Sequence, residues 1–141
     1  MNKLNIAIVG CRDFARPERV RALVRYFPGH LVTLVSGHGG NVDLAVEDEA
    51  IKQGIDIEVF PADWKKYGKR GGPIRNAQIA ELCDAMIAFW DFKSRGTKDA
   101  IDKATKLGKP ILVVGVEHKL TDKDLEMLYE RAVNAAELYK R

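Results

Sequence analysis

The sequence predicts an α/β protein, a Rossmann-like three-layer α/β/α sandwich with a five-stranded, mainly parallel sheet in the order 3-2-1-4-5. Short apolar runs alternate with amphipathic helical segments, and this alternation implies a parallel sheet with helices on both faces. The run Ala85 to Phe89 is apolar on both faces, as a buried parallel strand requires. Polar, glycine-containing loops follow the first, second and fourth runs, and in such a sheet the carboxyl ends of strands share one edge.

Each element follows from a local pattern. The helices are expected to follow Pro17, Gly40, Pro73 and Thr97, and the last begins at a Thr121–Asp124 capping box and turns Leu125 to Tyr139 inward on one face. The segment from 61 to 72, PADWKKYGKRGG, is expected to be a long loop with room for one helical turn. The predicted strands are Leu4 to Val9, Leu31 to Val35, Ile55 to Phe60, Ala85 to Phe89 and Ile111 to Val114.

Size and composition bound the class of protein. The chain has 141 residues and is expected to form one domain, residues 1–141, large enough for a proper core. Its formal charge of +3 is too small to argue for nucleic acid by itself. No apolar run would span a bilayer and no cleavable signal pattern is seen, so a cytoplasmic protein is expected, without membrane contact. Cys11 and Cys83 form no CxxC pair and the three histidines are scattered, so no metal site is expected.

Two glycine-containing loops are the candidate ligand site. Gly37, Gly39 and Gly40 lie within Ser36 to Asp43, and three glycines in four positions permit close approach of a ligand to the backbone. The second loop, Ser94 to Thr97, opens a helix, and the free N–H groups of a helix start favour an anion such as phosphate. Neither loop matches GxGxxG or GxxxxGK[ST]. A glycine turn before a helix is the alternative for each loop alone, but two on one edge favour an anionic ligand.

Several side chains near these loops have two interpretations. Arg75 near a helix start pairs either with an acid of the fold, Asp91 or Asp43, or with a ligand phosphate. Trp90 either packs against the sheet edge or stacks on a base, and Trp64 is assigned to packing. The basic residues between 65 and 70 form a solvated face or meet nucleic acid.

Six short motifs in the same order resemble the YspA-like family of the SLOG superfamily, whose other members include the DprA/Smf proteins and the LOG phosphoribohydrolases. The motifs are Gly10 to Phe14, Ser36-Gly37 with Asp43, Ala62-Asp63-Trp64 with Gly68, Arg75-Asn76, Ala88 to Asp91 and Ser94 to Thr97. The resemblance extends to about Val114. It implies a Rossmann-like fold and a site for a nucleotide or nucleotide derivative, with no established reaction.

The LOG enzymes imply a hydrolytic alternative that this sequence matches in part. Arg75 falls at the position of their catalytic arginine, and Gly96-Thr97 falls at their Gly-Thr. Their catalytic glutamate is Ala100 here, with Asp99 one residue earlier, and their lysine after the arginine is Asn76. Arg75 and Asp99 are therefore the candidate catalytic pair, and Asp43 is the alternative carboxylate that would orient the ribose or water.

The preferred interpretation is a protein that binds, senses or carries a nucleotide-type ligand, with phosphate between the two loops and no further cofactor required. The alternatives are a LOG-like nucleotide N-glycosidase and a DprA-like module for single-stranded nucleic acid, which is less favoured. A homo-oligomer is expected for a sheet of this size. The residues expected to contact the ligand are Gly10, Arg12, Asp13, Phe14, Ser36, Gly37, Gly39, Gly40, Asp43, Arg75, Asn76, Trp90, Asp91, Ser94, Arg95, Gly96 and Thr97.

Overall fold

The computed structural model describes residues 3–139, and side chains as far as residue 136. Five strands form one sheet in the order β3-β2-β1-β4-β5, and every neighbouring pair is parallel. The predicted fold class and strand order are therefore confirmed. The strands are β1 (Leu4–Gly10), β2 (Val32–Ser36), β3 (Asp56–Val59), β4 (Ala85–Phe89) and β5 (Ile111–Val114).

Within residues 3–139, six α-helices accompany the strands. They are α1 (Pro17–Tyr26), α2 (Asn41–Gln53), α3 (Trp64–Tyr67), α4 (Gly71–Leu82), α5 (Arg95–Lys106) and α6 (Asp122–Tyr139). The predicted capping box is present at α6: the Thr121 N–H donates to Asp124 Oδ2 at 3.0 Å, and the Asp124 N–H donates to Thr121 Oγ1 at 3.2 Å.

The segment from 61 to 72 differs from the expected long loop. It contains α3 and a 3₁₀ turn, Gly68–Arg70, and α4 already begins at Gly71 instead of Pro73. The reason is local: Asp63 caps α3 by accepting from the Lys66 N–H at 3.0 Å, and a proline in the first turn of a helix removes no intrahelical hydrogen bond. The helix after β4 begins at Arg95, with Ser94 as its N-cap residue.

Two apolar layers lie on opposite faces of the sheet. The side chains of β1 alternate between these two faces. Leu4, Ile6 and Ile8 face the layer formed with α1, α2 and α6. Ala7 and Val9 face the layer formed with α4 and α5. Leu125, Leu128, Ala132 and Ala136 of α6 are buried as expected, and the side chain of Tyr139 lies outside the described positions.

The topology fixes where a ligand can lie. From β1 the chain crosses to β2 and β3 on one side, and from β3 it returns to β4 on the other side of β1. This reversal leaves a crevice at the carboxyl ends of β1 and β4, the usual ligand position in open α/β sheets.

Candidate functional site

A cleft of about 550 Å³ opens at this crevice, within the usual size range of small-molecule sites. Its walls come from the loops after β1, β2 and β4 and from the starts of α4 and α5. Most of the residues expected to contact a ligand line it: Gly10, Arg12, Asp13, Gly37, Gly39, Asp43, Arg75, Asn76, Asp91, Ser94, Arg95, Gly96 and Thr97, together with Asp99.

Four expected contact residues lie outside the cleft wall. Phe14 is buried and its ring meets Phe89 edge-on at 5.2 Å between centroids. Ser36 is fully buried below the glycine loop, and its Oγ donates to Glu47 Oε2 at 2.8 Å. Gly40 and Trp90 are the other two.

Gly40 has a structural role that explains the absence of a side chain. A Cβ at this position would lie 2.5 Å from the Arg12 Cα, so only glycine lets the two loops approach. The Asn41 N–H next to it donates to the Arg12 carbonyl at 3.0 Å. The glycine loop therefore positions the Arg12 segment of the cleft wall.

Trp90 supports the start of α5 from outside the cleft. Its indole Nε1 donates to the Ser94 carbonyl at 2.9 Å, and its ring lies 4.9 Å from that of Phe92. These contacts match the packing of Trp90 at the sheet edge, and not the alternative in which Trp90 stacks on a base.

Arg75 fills the space over the glycine loop. Its Nη1 donates to the Gly37 carbonyl, and its Nε donates to Asn76 Oδ1 at 2.9 Å. A Cβ at Gly37 would lie 2.6 Å from the Arg75 Nη1, so a side chain at position 37 would displace the guanidinium. Burial lowers the pKa of Arg75 from its ordinary value, and the charge of Asp43 opposes that shift. The expected pairing with an acid of the fold is thus partly realised, through the electrostatic attraction of Asp43.

Asp43 is a buried carboxylate at the floor of the cleft. Its Oδ2 accepts from the Gly39 N–H at 2.7 Å, whereas its Oδ1 has no hydrogen-bond partner among the described residues. Burial raises the pKa of Asp43 from 3.8 to about 6, although the Gly39 N–H and the Arg75 charge both act to lower it. An ionised phosphate offers only acceptors, so it cannot pair with this oxygen.

The start of α5 is electropositive, in contrast to the buried carboxylate of Asp43. Ser94 is the N-cap residue, yet no side chain caps the helix, so the first-turn N–H groups are left without a side-chain acceptor. Ser94 Oγ instead lies 3.3 Å from Thr97 Oγ1. Because Arg95, Gly96 and Thr97 all line the cleft, this positive helix end opens into it.

Asn76 fixes the position of α5 relative to α4. Its Nδ2 donates to the Gly96 carbonyl and to Asp99 Oδ2, both at 3.1 Å. Asp99 also forms an ion pair with Lys103 at 2.7 Å. The candidate catalytic carboxylate therefore already accepts two hydrogen bonds within the protein.

Other acidic and thiol groups complete the wall. Asp91 Oδ1 accepts from the Ser94 N–H at 2.7 Å and the Lys93 N–H at 2.9 Å, and these bonds lower the pKa of Asp91. Burial raises the pKa of the Cys11 thiol at the cleft wall. Within the described residues, no group of three or more His, Cys, Asp or Glu side chains is arranged to hold a metal ion.

Sequence reasoning missed part of the wall, formed by Val9, Cys11, Trp64, Gly72, Pro73, Ile79 and Ala100. The sequence predicts a packing role for Trp64, and its ring does contact Gly72, but the residue is also 49% exposed and lines the cleft. The available signal was its place in one of the six motifs of the resemblance. The apolar residues among them carry no such signal, since their exposure depends on how α4 and α5 pack.

The fold and the cleft define a Rossmann-like α/β domain with a polar crevice at its topological switch point. Two solved structures share the fold: DNA processing protein A (DprA) from Streptococcus pneumoniae and DprA from Helicobacter pylori, each with a TM-score of 0.68. Their sequence identities to this chain are 18% and 19%. The matches cover 91% and 97% of this chain, and 56% and 80% of those chains.

The DprA proteins belong to the SLOG superfamily, so the comparison agrees with the resemblance at the level of the fold. The Gene 61 protein of Mycobacterium phage D29 is 31% identical over 67 residues, which is 45% of this chain. The match spans about half, 54%, of that relative. No protein-family model matches the chain. Among residues 3–139, no helix has both the length and the hydrophobicity needed to cross a lipid bilayer.

Proposed function

We propose that the cleft binds the phosphate of a nucleotide or nucleotide-derived ligand, with the phosphate at the start of α5. The observation that carries this proposal is the uncapped first turn of α5, which opens into the cleft at Gly96 and Thr97. Helix starts of this kind bind phosphate through backbone N–H groups and the helix dipole. Arg95 adds a positive side chain at the same position.

The position of the phosphate is revised relative to the sequence-based interpretation, which placed it between the two loops. The loop after β2 is already occupied, because Arg75 donates to the Gly37 carbonyl and Asp43 accepts the Gly39 N–H. Asp43 would also repel a phosphate held there. The α5 side of the cleft is the end that suits an anion.

A charge reversal at Gly96 tests this position with a matched control. A Cβ at Gly96 meets no atom within 4 Å, so the fold accommodates a side chain there. Gly96→Asp places a carboxylate among the N–H groups, where it stabilises the helix but repels phosphate. Gly96→Asn has the same shape without the charge. By calorimetry with AMP, ADP-ribose and ribose 5-phosphate, we expect Gly96→Asp to weaken binding at least tenfold relative to Gly96→Asn.

Adenosine is the unphosphorylated control ligand for this experiment. We expect it to bind far more weakly than AMP and to respond equally to the two variants, since it has no phosphate to repel. No heat from any phosphate-bearing ligand with the unmodified protein would refute the proposal. Equal affinities of the two variants for AMP would refute the placement at α5.

A second candidate function is binding of single-stranded nucleic acid, and the comparisons favour it by a narrow margin over a free nucleotide. The H. pylori neighbour is described as binding single-stranded DNA, and both neighbours are DNA processing proteins. Fluorescence anisotropy with a labelled oligothymidylate at two salt concentrations tests it, because phosphate contacts weaken as salt rises. Binding of the oligomer that AMP fails to displace would select this candidate over a mononucleotide site.

The hydrolytic alternative stays a prediction with a weaker basis. It needs a carboxylate that orients the ribose or water. Asp99 is engaged with Asn76 and Lys103, which leaves Asp43, whose Oδ1 has no hydrogen-bond partner among the described residues. Incubation of AMP with the protein, followed by chromatography for free adenine, tests it directly. Release of adenine that Arg75→Ala abolishes would establish the reaction.

A further inference from the structure

Trp64 is the feature of the cleft that the proposed phosphate site does not explain. Among the described residues that line the cleft, it is the aromatic one, and its side chain is 49% exposed. A tryptophan placed only for packing buries most of its large surface. About half of the accessible surface of Trp64 is therefore left exposed by the fold.

The indole is nevertheless held in a defined position. Trp64 is the first residue of α3, whose N-cap Asp63 accepts from the Lys66 N–H at 3.0 Å. The ring packs against the start of α4 at Gly72, where a Cβ would lie 3.0 Å from the ring atom Cη2. At Gly71 a Cβ would lie 3.1 Å from the Asp63 carbonyl group.

Two adjacent glycines therefore let α4 approach the tryptophan closely. One part of the indole is held against Gly72, and the residue also lines the cleft. Such an arrangement resembles the aromatic platforms on which bases stack in nucleotide and single-strand sites.

We propose that Trp64 stacks on the base of the ligand, so that the cleft takes base-bearing nucleotides with the base at Trp64 and the phosphate at the start of α5. The inference rests on the proposed function, and it adds which class of ligand the cleft prefers. Trp64 and Gly96 line the same cleft of about 550 Å³, a volume suited to a mononucleotide.

A comparison of AMP with ribose 5-phosphate isolates the base, because the second ligand keeps the sugar and phosphate but has nothing to stack. By calorimetry, Trp64→Leu is expected to weaken the affinity for AMP at least tenfold and to change the affinity for ribose 5-phosphate less than twofold. Trp64→Phe retains an aromatic face and is expected to keep AMP affinity within about threefold. Tyr26→Leu is the matched control, an aromatic residue of α1 that is 41% exposed and lies outside the cleft.

Fluorescence supplies an independent readout since the protein has two tryptophans. AMP is expected to quench the unmodified protein more than Trp64→Phe, whose only tryptophan is Trp90, and ribose 5-phosphate is expected to quench neither. Circular dichroism verifies that each variant is folded. If Trp64→Leu does not fold, the comparison of Trp64→Phe with the unmodified protein still tests the inference.

The outcomes separate this inference from the proposed function. Equal loss of AMP and ribose 5-phosphate in Trp64→Leu, or no loss of either, would overturn stacking while leaving the phosphate site intact. An equal loss of AMP affinity in Trp64→Phe and Trp64→Leu would also overturn it. If neither ligand binds the unmodified protein, the proposed function fails and the inference fails with it.

Discussion

Asn41 holds Phe14 through both atoms of its side-chain amide: Oδ1 accepts from the Phe14 N–H at 3.0 Å, and Nδ2 donates to the Phe14 carbonyl at 2.7 Å. This pair of bonds ties the first residue of α2 to the loop after β1. The loop carries Arg12 and Asp13 of the cleft wall.

The first prediction concerns the stability that Asn41 supplies. We expect Asn41→Ala to lower the free energy of unfolding by about 2 kcal/mol, because two hydrogen bonds are lost and the partly buried Phe14 backbone keeps no side-chain partner. Urea denaturation followed by circular dichroism measures it. Asn134→Ala, at an exposed position of α6, is the control and is expected to change stability by less than about 0.5 kcal/mol. Similar values for the two variants would contradict the prediction.

The second prediction concerns the contact of Gly10 with Val42. A Cβ at Gly10 would lie 2.6 to 2.8 Å from the branched side chain of Val42, which is fully buried. We expect Gly10→Ala to destabilise the protein by about 1–3 kcal/mol through overpacking.

A double-mutant cycle tests the cause. In the Val42→Ala background the two methyl groups are absent and the Val42 Cβ at 2.8 Å remains, so Gly10→Ala is expected to cost less, with a coupling energy of at least about 0.5 kcal/mol. Gly96→Ala, where a Cβ meets nothing within 4 Å, is the control for a harmless glycine replacement. Additive effects in the cycle would refute the steric explanation.

The third prediction concerns Asp43, whose pKa burial raises from 3.8 to about 6. Because the folded pKa exceeds the unfolded one, the ionised carboxylate destabilises the fold. The penalty is complete above pH 6 and disappears as the pH falls toward 4. Asp43→Asn removes it, while the amide oxygen still accepts the Gly39 N–H. We expect the variant to be more stable at pH 7 by about 2–3 kcal/mol, at 1.36 kcal/mol per pKa unit.

The pH dependence identifies the cause. The difference between Asp43→Asn and the unmodified protein is expected to shrink steadily from pH 7 to pH 4, measured by urea denaturation at each pH. Asp102→Asn, at an exposed ion pair with Lys98, is the control, with an expected change below about 0.5 kcal/mol. A constant difference across this range would show that ionisation of Asp43 is not its source.

Sequence periodicity was enough to predict the sheet, since the strands are apolar and the helices amphipathic, and the strand order followed from the placement of polar loops at one edge. The secondary structure of the segment around Trp64 was harder to predict. Its charges and glycines resemble a loop, and only the cap at Asp63 together with contacts from Gly71 and Gly72 makes it helical. A single capping residue and a close approach at two glycines leave no periodic pattern.

The site, like the fold, was predictable in part from the sequence and in part depends on contacts in the folded chain. Glycine loops and polar residues after strands were enough to indicate which residues meet at the cleft. Sequence left open whether Arg75 faces an acid or a ligand, because the answer depends on the distance between α4 and the loop after β2. Phe14 and Trp90 lie outside the wall because their rings pack on Phe89 and Phe92. Chain order contains no information about such ring packing.

The last prediction concerns the coupling of Arg75 with Asp43, because the Arg75 charge acts to lower the pKa of Asp43. We expect Arg75→Met to be destabilising, since Gly37 and Asn76 lose a donor and the ionised Asp43 loses the nearby positive charge. In the Asp43→Asn background the electrostatic part is absent. Arg75→Met is therefore expected to cost about 1–2 kcal/mol less there at pH 7, a coupling that a double-mutant cycle in urea measures.

Repeating the cycle at pH 5 separates charge from shape. Below the folded pKa of about 6 Asp43 is mostly protonated, so the coupling with Arg75 is expected to fall by more than half. A hydrogen-bond or packing role for Arg75 alone would give the same coupling at both pH values. A coupling that persists at pH 5 would therefore mean that Arg75 acts on the glycine loop by filling space and not through its charge, and the attraction to Asp43 would then have no part in holding the loop closed.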